Sequence, residues 1–171
     1  MKEPNNPHKD TGDYRNWWKE TIKYIFSIRI GEWSYGILNE FPEYTTFYKS
    51  RELKHSAILQ IAFMNVKKVG GKGTSNLNTI LQYVQKNLYL IKKEIKIIDP
   101  QIVILGLSFS GKLRDMIFSE AKWKYGKGIR FTRFENMRII DFYHPSARNK
   151  TSEELYYLLR DIIQSEEFNN L

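Results

Sequence analysis

The chain has 171 residues, of which 42% are hydrophobic and 27% charged, and its formal net charge is +8. This composition excludes a disordered chain, and the length favours a single domain over residues 1–171. Cysteine is absent, which excludes disulfides, zinc–thiolate sites and iron–sulfur clusters, while the positive charge favours polyanionic partners, nucleic acid first.

The sequence also lacks segments that would direct it to a membrane. No stretch approaches the roughly 20 consecutive apolar residues of a membrane span. The first ten residues, MKEPNNPHKD, have no apolar core and do not form a signal peptide. We therefore expect a cytoplasmic protein.

The amino-terminal third is predicted to be mainly helical. After a polar, proline-containing loop, Asp13 can cap a helix over residues 14–29. Residues 31–45 place aromatic side chains between glycines and a proline, and their structure is left open. A short helix is predicted over residues 46–53.

Two buried strands are predicted to flank a long helix in the centre of the chain. The runs AILQIAFMNV, residues 57–66, and QIVILGL, residues 101–107, are mainly apolar, as expected of strands covered on both faces. Between them, apolar residues over 77–95 recur with the 3.6-residue period of a helix, which Ser75 or Asn76 can cap.

The last third of the chain continues to alternate between helices and strands. The predicted elements are a helix over residues 111–122, a short strand over 128–134, a strong strand over 137–143 and a helix over 151–164. The last helix opens with Thr151 and Glu154 in the spacing of a capping box. This alternation predicts an α/β fold with three layers, α/β/α, around a central, mainly parallel sheet of about four short strands.

Candidate site residues lie at the carboxyl ends of the three strong predicted strands. They are Asn65, residues 106–110 and residues 144–146. Ligands of parallel sheets bind at the carboxyl ends of strands, so these residues should share one cleft. The amide of Asn65 offers a donor and an acceptor suited to the edge of a nucleobase, and a local backbone hydrogen bond would satisfy it as well.

His144 lies in the stretch DFYHPSARN, residues 141–149, directly after the last predicted strand. Pro145 fixes the direction of the chain, and Ser146 can orient the imidazole or bind a phosphate oxygen. An imidazole at this place can donate a hydrogen bond to an oxygen on which negative charge develops. The same pattern is typical of a simple turn that ends a strand.

A glycine- and lysine-rich loop follows Asn65. Lys67, Lys68 and Lys72 resemble a phosphate cradle, but the Gly-Lys-Ser/Thr ending of a P-loop is missing, which argues against a nucleoside-triphosphate site. The later segment GLSFSGK, with Ser108, departs from P-loop spacing and from the GxSxG elbow. No paired carboxylates and no metal-ligand spacing stand out, so we predict neither a metal nor a cofactor.

Taken together, FMNVKKV, IDPQIVILGL and FYHPSARN resemble the motifs of the uracil-DNA glycosylase superfamily, in the same order, over about residues 60–165. The resemblance implies a hydrolase that flips uracil or another deaminated base out of DNA and cleaves its N-glycosidic bond. It implies that Asn65 reads the base and that His144 stabilises the departing base. It also implies phosphate-binding roles for Lys67, Lys68, Lys72, Ser108, Ser146 and Arg148.

The first motif of that family has a divergent counterpart in KEPNNPHKDTGDY, residues 2–14. Glu3 matches the glutamate of the motif, and the resemblance implies that Glu3 or Asn5 takes part in catalysis. The candidates that could position the attacking water are Asn5, Asn6, Asp10 and Asp13. The strand that precedes this motif in the family is missing, so we expect that Met1 is an internal or misassigned start or that the sheet has closed up. The cluster-binding cysteines of one branch are also missing, which implies a branch without the cluster.

The resemblance implies uracil-containing DNA as the partner, and we expect a monomer that binds no membrane. The residue that stacks on the base stays open among Tyr14, Phe41, Phe47 and Tyr48. Two alternative functions also stay open. One is a base- or nucleic-acid-binding module of the same fold that does not cleave, and the other is an unrelated flavodoxin-like protein in which the histidine and asparagine are structural.

Overall fold

The computed structural model describes residues 14–67, 76–107 and 111–171. The described chain divides into two compact units. The first holds residues 14–61 with Arg148–Arg160, and the second holds the described parts of Ala62–Ala147 with Asp161–Leu171.

Seven helices and four strands are present in the described residues, which confirms the predicted α/β class. The helices are α1 (Tyr14–Thr21), α2 (Ile25–Leu38), α3 (Arg51–Ile58), α4 (Leu77–Ile98), α5 (Gly111–Ile117), α6 (Ser152–Ile163) and α7 (Glu166–Asn169), and a 3₁₀ turn covers Tyr44–Thr46. The strands are β1 (Ile102–Leu105), β2 (Lys124–Gly126), β3 (Ile129–Phe134) and β4 (Met137–Asp141). None of these helices is long and apolar enough to cross a membrane.

The helix predicted over residues 14–29 is broken into two. α1 ends at Thr21, whose hydroxyl donates to the carbonyl of Trp18 at 3.1 Å. A side-chain bond of this kind competes with the helical ladder. Tyr24 then takes an extended backbone before α2 begins. α2 continues through residues 31–38, whose structure the sequence pattern left open.

α2 packs very closely against two other helices of the first unit. A Cβ added at Gly31 would lie 2.7 Å from the Cβ of Lys54 in α3. One added at Gly36 would lie 2.6 Å from the ring of Tyr156 in α6. Real Cβ contacts are longer than this, so a larger residue at either position would force the helices apart.

Two charged side chains of α2 are buried by this packing, and each has polar partners. Arg29 is 3% exposed and donates to the carbonyl of Lys150 at 2.7 Å. Glu32 is 1% exposed, accepts from the Tyr44 hydroxyl at 3.0 Å and lies 3.7 Å from the ammonium of Lys54. Burial raises the pKa of Glu32, and the nearby Lys54 charge opposes that rise.

The second unit is built around a four-stranded sheet in the order β1-β4-β3-β2. β1 and β4 are parallel, whereas β4 with β3 and β3 with β2 are antiparallel. The described residues form four strands, the number predicted, but β2 was not predicted, and the prediction of a mainly parallel sheet is wrong. Residues 127–128 and 135–136 alone join the antiparallel strands. Links of two residues form hairpins, because parallel strands require a much longer crossover.

Helices contact both faces of this sheet. On one face, Ile139 of β4 belongs to a buried apolar cluster that includes Val84 of α4. On the other face, Phe131 of β3 contacts Phe168 of α7, with ring centroids 5.7 Å apart. Phe131 is paired with Ile140, the neighbour of Ile139, so the two contacts lie on opposite faces.

The strand predicted over residues 57–66 is not formed. The helix α3 extends through Ile58, and residues 62–67 belong to no helix or strand. Met64 and Val66 nevertheless pack against the buried cluster of the second unit. A continuous apolar run is compatible with a buried strand or with a buried helix end, and periodicity alone does not separate the two.

The predicted N-terminal caps of two helices are confirmed. The side-chain oxygen of Asn76 accepts from the backbone N–H of Thr79 at 3.2 Å and caps α4. At the start of α6, the Thr151 N–H donates to the Glu154 carboxylate at 2.6 Å, and the Glu154 N–H donates to the Thr151 hydroxyl at 3.1 Å. This is the predicted capping box. The short helix predicted over residues 46–53 is displaced along the chain and corresponds to α3.

Candidate functional site

The parallel pair of strands brings two chain segments to one edge of the sheet. Leu105, the last residue of β1, is aligned with Asp141, the last residue of β4. The backbone N–H of Phe142 then donates to the carbonyl of Leu105 at 3.0 Å. Gly106 and the turn after β4 therefore leave the sheet side by side, at the kind of edge where α/β proteins bind ligands.

Gly106 is closely covered by the turn that contains His144. A Cβ built on Gly106 would lie 3.0 Å from Cδ of Pro145 and 3.7 Å from Cα of His144. A side chain at position 106 would push the turn away from β1. The glycine thus lets the histidine stay next to the strand end, and Gly106, the start of one segment expected at this edge, does lie beside the segment 144–146.

The protonation state of His144 follows from its surroundings. The backbone N–H of Ser146 donates to Nδ1 of the imidazole at 3.0 Å, so Nδ1 carries no proton and the neutral ring carries its proton on Nε2. Burial lowers the pKa of His144, which favours the neutral form further. The backbone of Ser146, rather than its hydroxyl, therefore fixes the tautomer.

The carboxylate of Asp141 at this edge is bound by Arg114 of α5. Arg114 donates through Nη1 to Asp141 at 2.6 Å and through Nε to Asp115 at 2.7 Å, and its guanidinium lies 5.0 Å above the ring of Trp123. The bonds to the two carboxylates raise the pKa of Arg114. This pair was not predicted from the sequence, although an aspartate that ends an apolar strand needs a partner and could have indicated it.

Of the other predicted site residues that the structure describes, Ser146 lies in the turn at this edge, where its N–H binds His144. Asn65 is exposed, in the irregular segment 62–67, so its amide needs no protein partner. Lys67 is half-buried, and Ser146 is exposed. Arg148 is exposed and belongs to the first unit.

Several predicted site residues lie outside the described part of the chain. They are Glu3, Asn5, Asn6, Asp10, Asp13, Lys68, Lys72 and Ser108. The predicted motif for positioning water and most of the lysine-rich loop therefore stay predictions. Among the described residues, no group of three or more histidine or acidic side chains could hold a metal ion.

Two of the four aromatic residues considered for base stacking are core residues of the first unit. Phe41 is 8% exposed and Phe47 is 2% exposed, and both rings contact Tyr156. Neither ring can stack on a base without opening this core. Tyr14 and Tyr48 are exposed at 56% and 37% and stay eligible.

Comparison with known proteins gave no match of significance: no family model, no curated protein and no solved structure is similar to this chain. The chemistry of the site therefore rests on its own residues.

Proposed function

We propose that this protein is a DNA glycosylase-like hydrolase whose motifs resemble those of the uracil-DNA glycosylase superfamily. Its reaction is cleavage of the N-glycosidic bond of uracil, or of another deaminated base, after the base is flipped out of DNA. The observation that carries the proposal is the state of His144: a neutral imidazole with its proton on Nε2, held at the carboxyl end of a parallel strand pair.

That state suits the chemistry of the reaction. Cleavage of the N-glycosidic bond leaves positive charge on the sugar and negative charge on an oxygen of the departing base. The Nε2–H of His144 donates to that oxygen as the charge develops. Fixing the proton in advance means that no tautomer has to change during the reaction, and one such donor is typically worth about 10²–10³ in rate.

The other roles are proposals that follow from the motifs. Asn65 reads the edge of the base, and its exposure leaves the amide available to a ligand. Glu3 or Asn5 positions the attacking water. DNA phosphates bind to Ser146, Arg148, Lys67, Lys68, Lys72 and Ser108.

One observation favours the second candidate function, a base- or nucleic-acid-binding module without cleavage. Asp141 is a carboxylate at the same edge as His144, and its Oδ2 already accepts a hydrogen bond from Arg114. That oxygen is therefore not free to accept a proton from water. The net charge of +8 supports DNA binding under either function.

The test is formation of abasic sites in a uracil-containing oligonucleotide by the full chain. We expect His144→Ala to lower the single-turnover rate by about 10²–10³, because it removes the Nε2–H donor. His55→Ala is the matched control, since His55 is also half-buried and its Nε2 lies 3.0 Å from the carbonyl of Arg15 in the first unit. DNA binding without cleavage would leave the binding module, and neither binding nor cleavage would overturn both functions.

A further inference from the structure

A polar cleft of about 270 Å³ lies at the amino-terminal ends of β1 and β4, the end of the sheet opposite to His144. The side chains come from the start of both strands, from the β3–β4 hairpin and from the end of the chain. The lining residues are Gln101, Arg133, Asn136, Arg138, Asn169 and Leu171. The cleft thus combines two guanidinium groups with three side-chain amides.

The two arginines of this cleft face each other across a pair of strands. Arg133 of β3 and Arg138 of β4 are directly paired in the antiparallel register. Side chains that are directly opposite lie on the same face of a sheet, and two like charges at such positions repel each other. The arrangement would be relieved by an anion between the two groups.

Neither arginine contacts a carboxylate side chain that the structure describes. Arg133 donates to a main-chain oxygen of Glu135 at 3.4 Å and to one of Leu171, the last residue given, at 3.0 Å. A carboxylate at Leu171 supplies one negative charge against the two guanidinium groups, so the pair keeps a net positive charge. Arg138 donates to the side-chain oxygen of Asn169 at 3.5 Å. By contrast, the buried Arg114 of the same unit binds two carboxylates.

Packing orients one of the two guanidinium groups. The guanidinium of Arg138 lies 5.2 Å above the ring of Phe168. A cation over an aromatic ring is attracted to the ring face, and this contact uses none of the guanidinium N–H donors, which stay available to a ligand. Planar forks of this kind match the oxygens of phosphate better than an ammonium does.

From these contacts we propose that the cleft is a phosphate-binding site. The phosphate oxygens accept from the guanidinium groups of Arg133 and Arg138, and the amides of Gln101, Asn136 and Asn169 offer further N–H donors. The cleft is smaller than the 300–1,000 Å³ typical of whole-ligand pockets, so it fits a phosphate group rather than an entire nucleotide. The phosphate is that of a small ester or of a nucleic-acid strand. The site goes beyond the proposed glycosylase function and does not depend on it.

The test is an NMR titration of the full chain with inorganic phosphate, at constant ionic strength, observing the arginine Nε–H signals. We expect saturable shifts for Arg133 and Arg138. Arg133→Gln and Arg138→Gln should each weaken binding at least about tenfold, as expected when a charged hydrogen-bond donor is lost. Both variants remove a like-charge repulsion, so loss of the fold is not expected.

Arg130→Gln is the matched control. Arg130 lies on β3 as well, is exposed and has its guanidinium 5.9 Å from the Tyr125 ring, so the variant removes one charge from the same strand. We expect its phosphate affinity to stay within about twofold of the unaltered chain, since Arg130 does not line the cleft and a distant exposed charge acts weakly. Equal weakening in all three variants, or shifts that never saturate, would overturn the site.

Two further arms of the titration distinguish the sources of the phosphate. One uses a nucleoside monophosphate and the other a short single-stranded oligonucleotide, each in competition with inorganic phosphate. Displacement by both at similar phosphate concentrations assigns the site to any exposed phosphate ester. Displacement by the oligonucleotide alone assigns it to the nucleic-acid backbone. Failure of both to compete would contradict the proposal, whether or not uracil is cleaved.

Discussion

At the scale of single residues, the chemistry of His144 depends on a fold that keeps Nδ1 of the imidazole unprotonated. Protonation would place a hydrogen on Nδ1, where the N–H of Ser146 already points. Burial acts in the same direction and lowers the pKa of His144. The unfolded chain therefore binds this proton more readily than the folded chain does.

The sign of the resulting pH effect follows from that difference. A lowered pKa contributes stability that is present above the ordinary histidine value of about 6.5 and is lost as the pH falls through the folded-state pKa. We expect the free energy of unfolding to drop more between about pH 7.5 and pH 5 in the unaltered chain than in His144→Gln. Urea denaturation at both pH values measures this.

Replacement of the other half-buried histidine that the structure describes provides the control for this pH effect. His55→Gln removes an imidazole whose Nε2 faces the carbonyl of Arg15 rather than an N–H donor, so it tests whether the effect of His144→Gln follows from the loss of any histidine. If His144→Gln and the unaltered chain lose stability in parallel as the pH falls, the imidazole is not held neutral and its proposed role as a prepared donor is wrong.

At the scale of elements, the contact between α2 and α3 combines close helix packing with a buried ion pair. Glu32 lies 3.7 Å from Lys54, and both side chains are at most 5% exposed. Lys54 also donates to the carbonyl of Tyr48. The second carboxylate oxygen of Glu32 has no hydrogen-bond partner among the described residues. Each charge therefore depends strongly on the other.

A double-mutant cycle tests this dependence. Glu32→Gln should lower the free energy of unfolding by about 3 kcal/mol, because it leaves the Lys54 ammonium buried without a counter-charge. Lys54→Met should cost about 2 kcal/mol, less because the abandoned carboxyl can take up a proton. We expect the double variant to be about 1–3 kcal/mol more stable than the sum of the two single-variant losses in free energy of unfolding predicts. Chemical denaturation of the four proteins measures all terms.

Glu52→Gln supplies the comparison within α3. Glu52 lies in the first turn of that helix and is exposed, where a charge contributes little to stability. Glu52→Gln should leave the free energy of unfolding nearly unchanged. Its effect should simply add to that of Lys54→Met. Strict additivity of Glu32→Gln with Lys54→Met would show instead that the buried pair does not act as a unit.

The same helices explain which elements could be predicted from the sequence. α4 and α6 carry both a cap and an amphipathic period, and both are local signals. α2 is buried on nearly all sides, which removes the period from its sequence. β2, with three residues, is too short to show alternation. The apolar run over residues 57–66 was wrongly predicted to be a strand, because a buried strand and a buried helix end can both have a continuous apolar sequence.

The candidate sites divide in a similar way. The position of His144 could be predicted because the strand, the proline and the serine around it are neighbours in sequence. The pair Arg114–Asp141 joins a helix to a strand 27 residues away, so only the folded chain brings it together. The pair Arg133–Arg138 depends on the register of a hairpin. A shift of one residue would separate the two side chains to opposite faces.

At the scale of the whole molecule, the net charge of +8 predicts how DNA binding responds to salt. Each phosphate contact adds about −0.9 to the slope of log K against log salt concentration on duplex DNA. Contacts to the base add affinity without changing that slope. Duplexes that differ only in one uracil or thymine should therefore share a slope and differ in affinity, which binding titrations of His144→Ala over a series of salt concentrations can measure.

Variants separate the two contributions. In that His144→Ala background, Arg148→Gln should reduce the slope by about 0.9 on both duplexes, whereas Asn65→Ala should weaken binding to the uracil duplex alone by about 1–3 kcal/mol at an unchanged slope. Arg51→Gln removes the same charge from an exposed arginine of α3 and should keep the slope. If Arg148→Gln and Arg51→Gln reduce the slope by the same amount, net charge rather than a contact of Arg148 attracts DNA. An Asn65→Ala variant that still prefers uracil would remove the base-reading role on which both the glycosylase and the base-binding module rely.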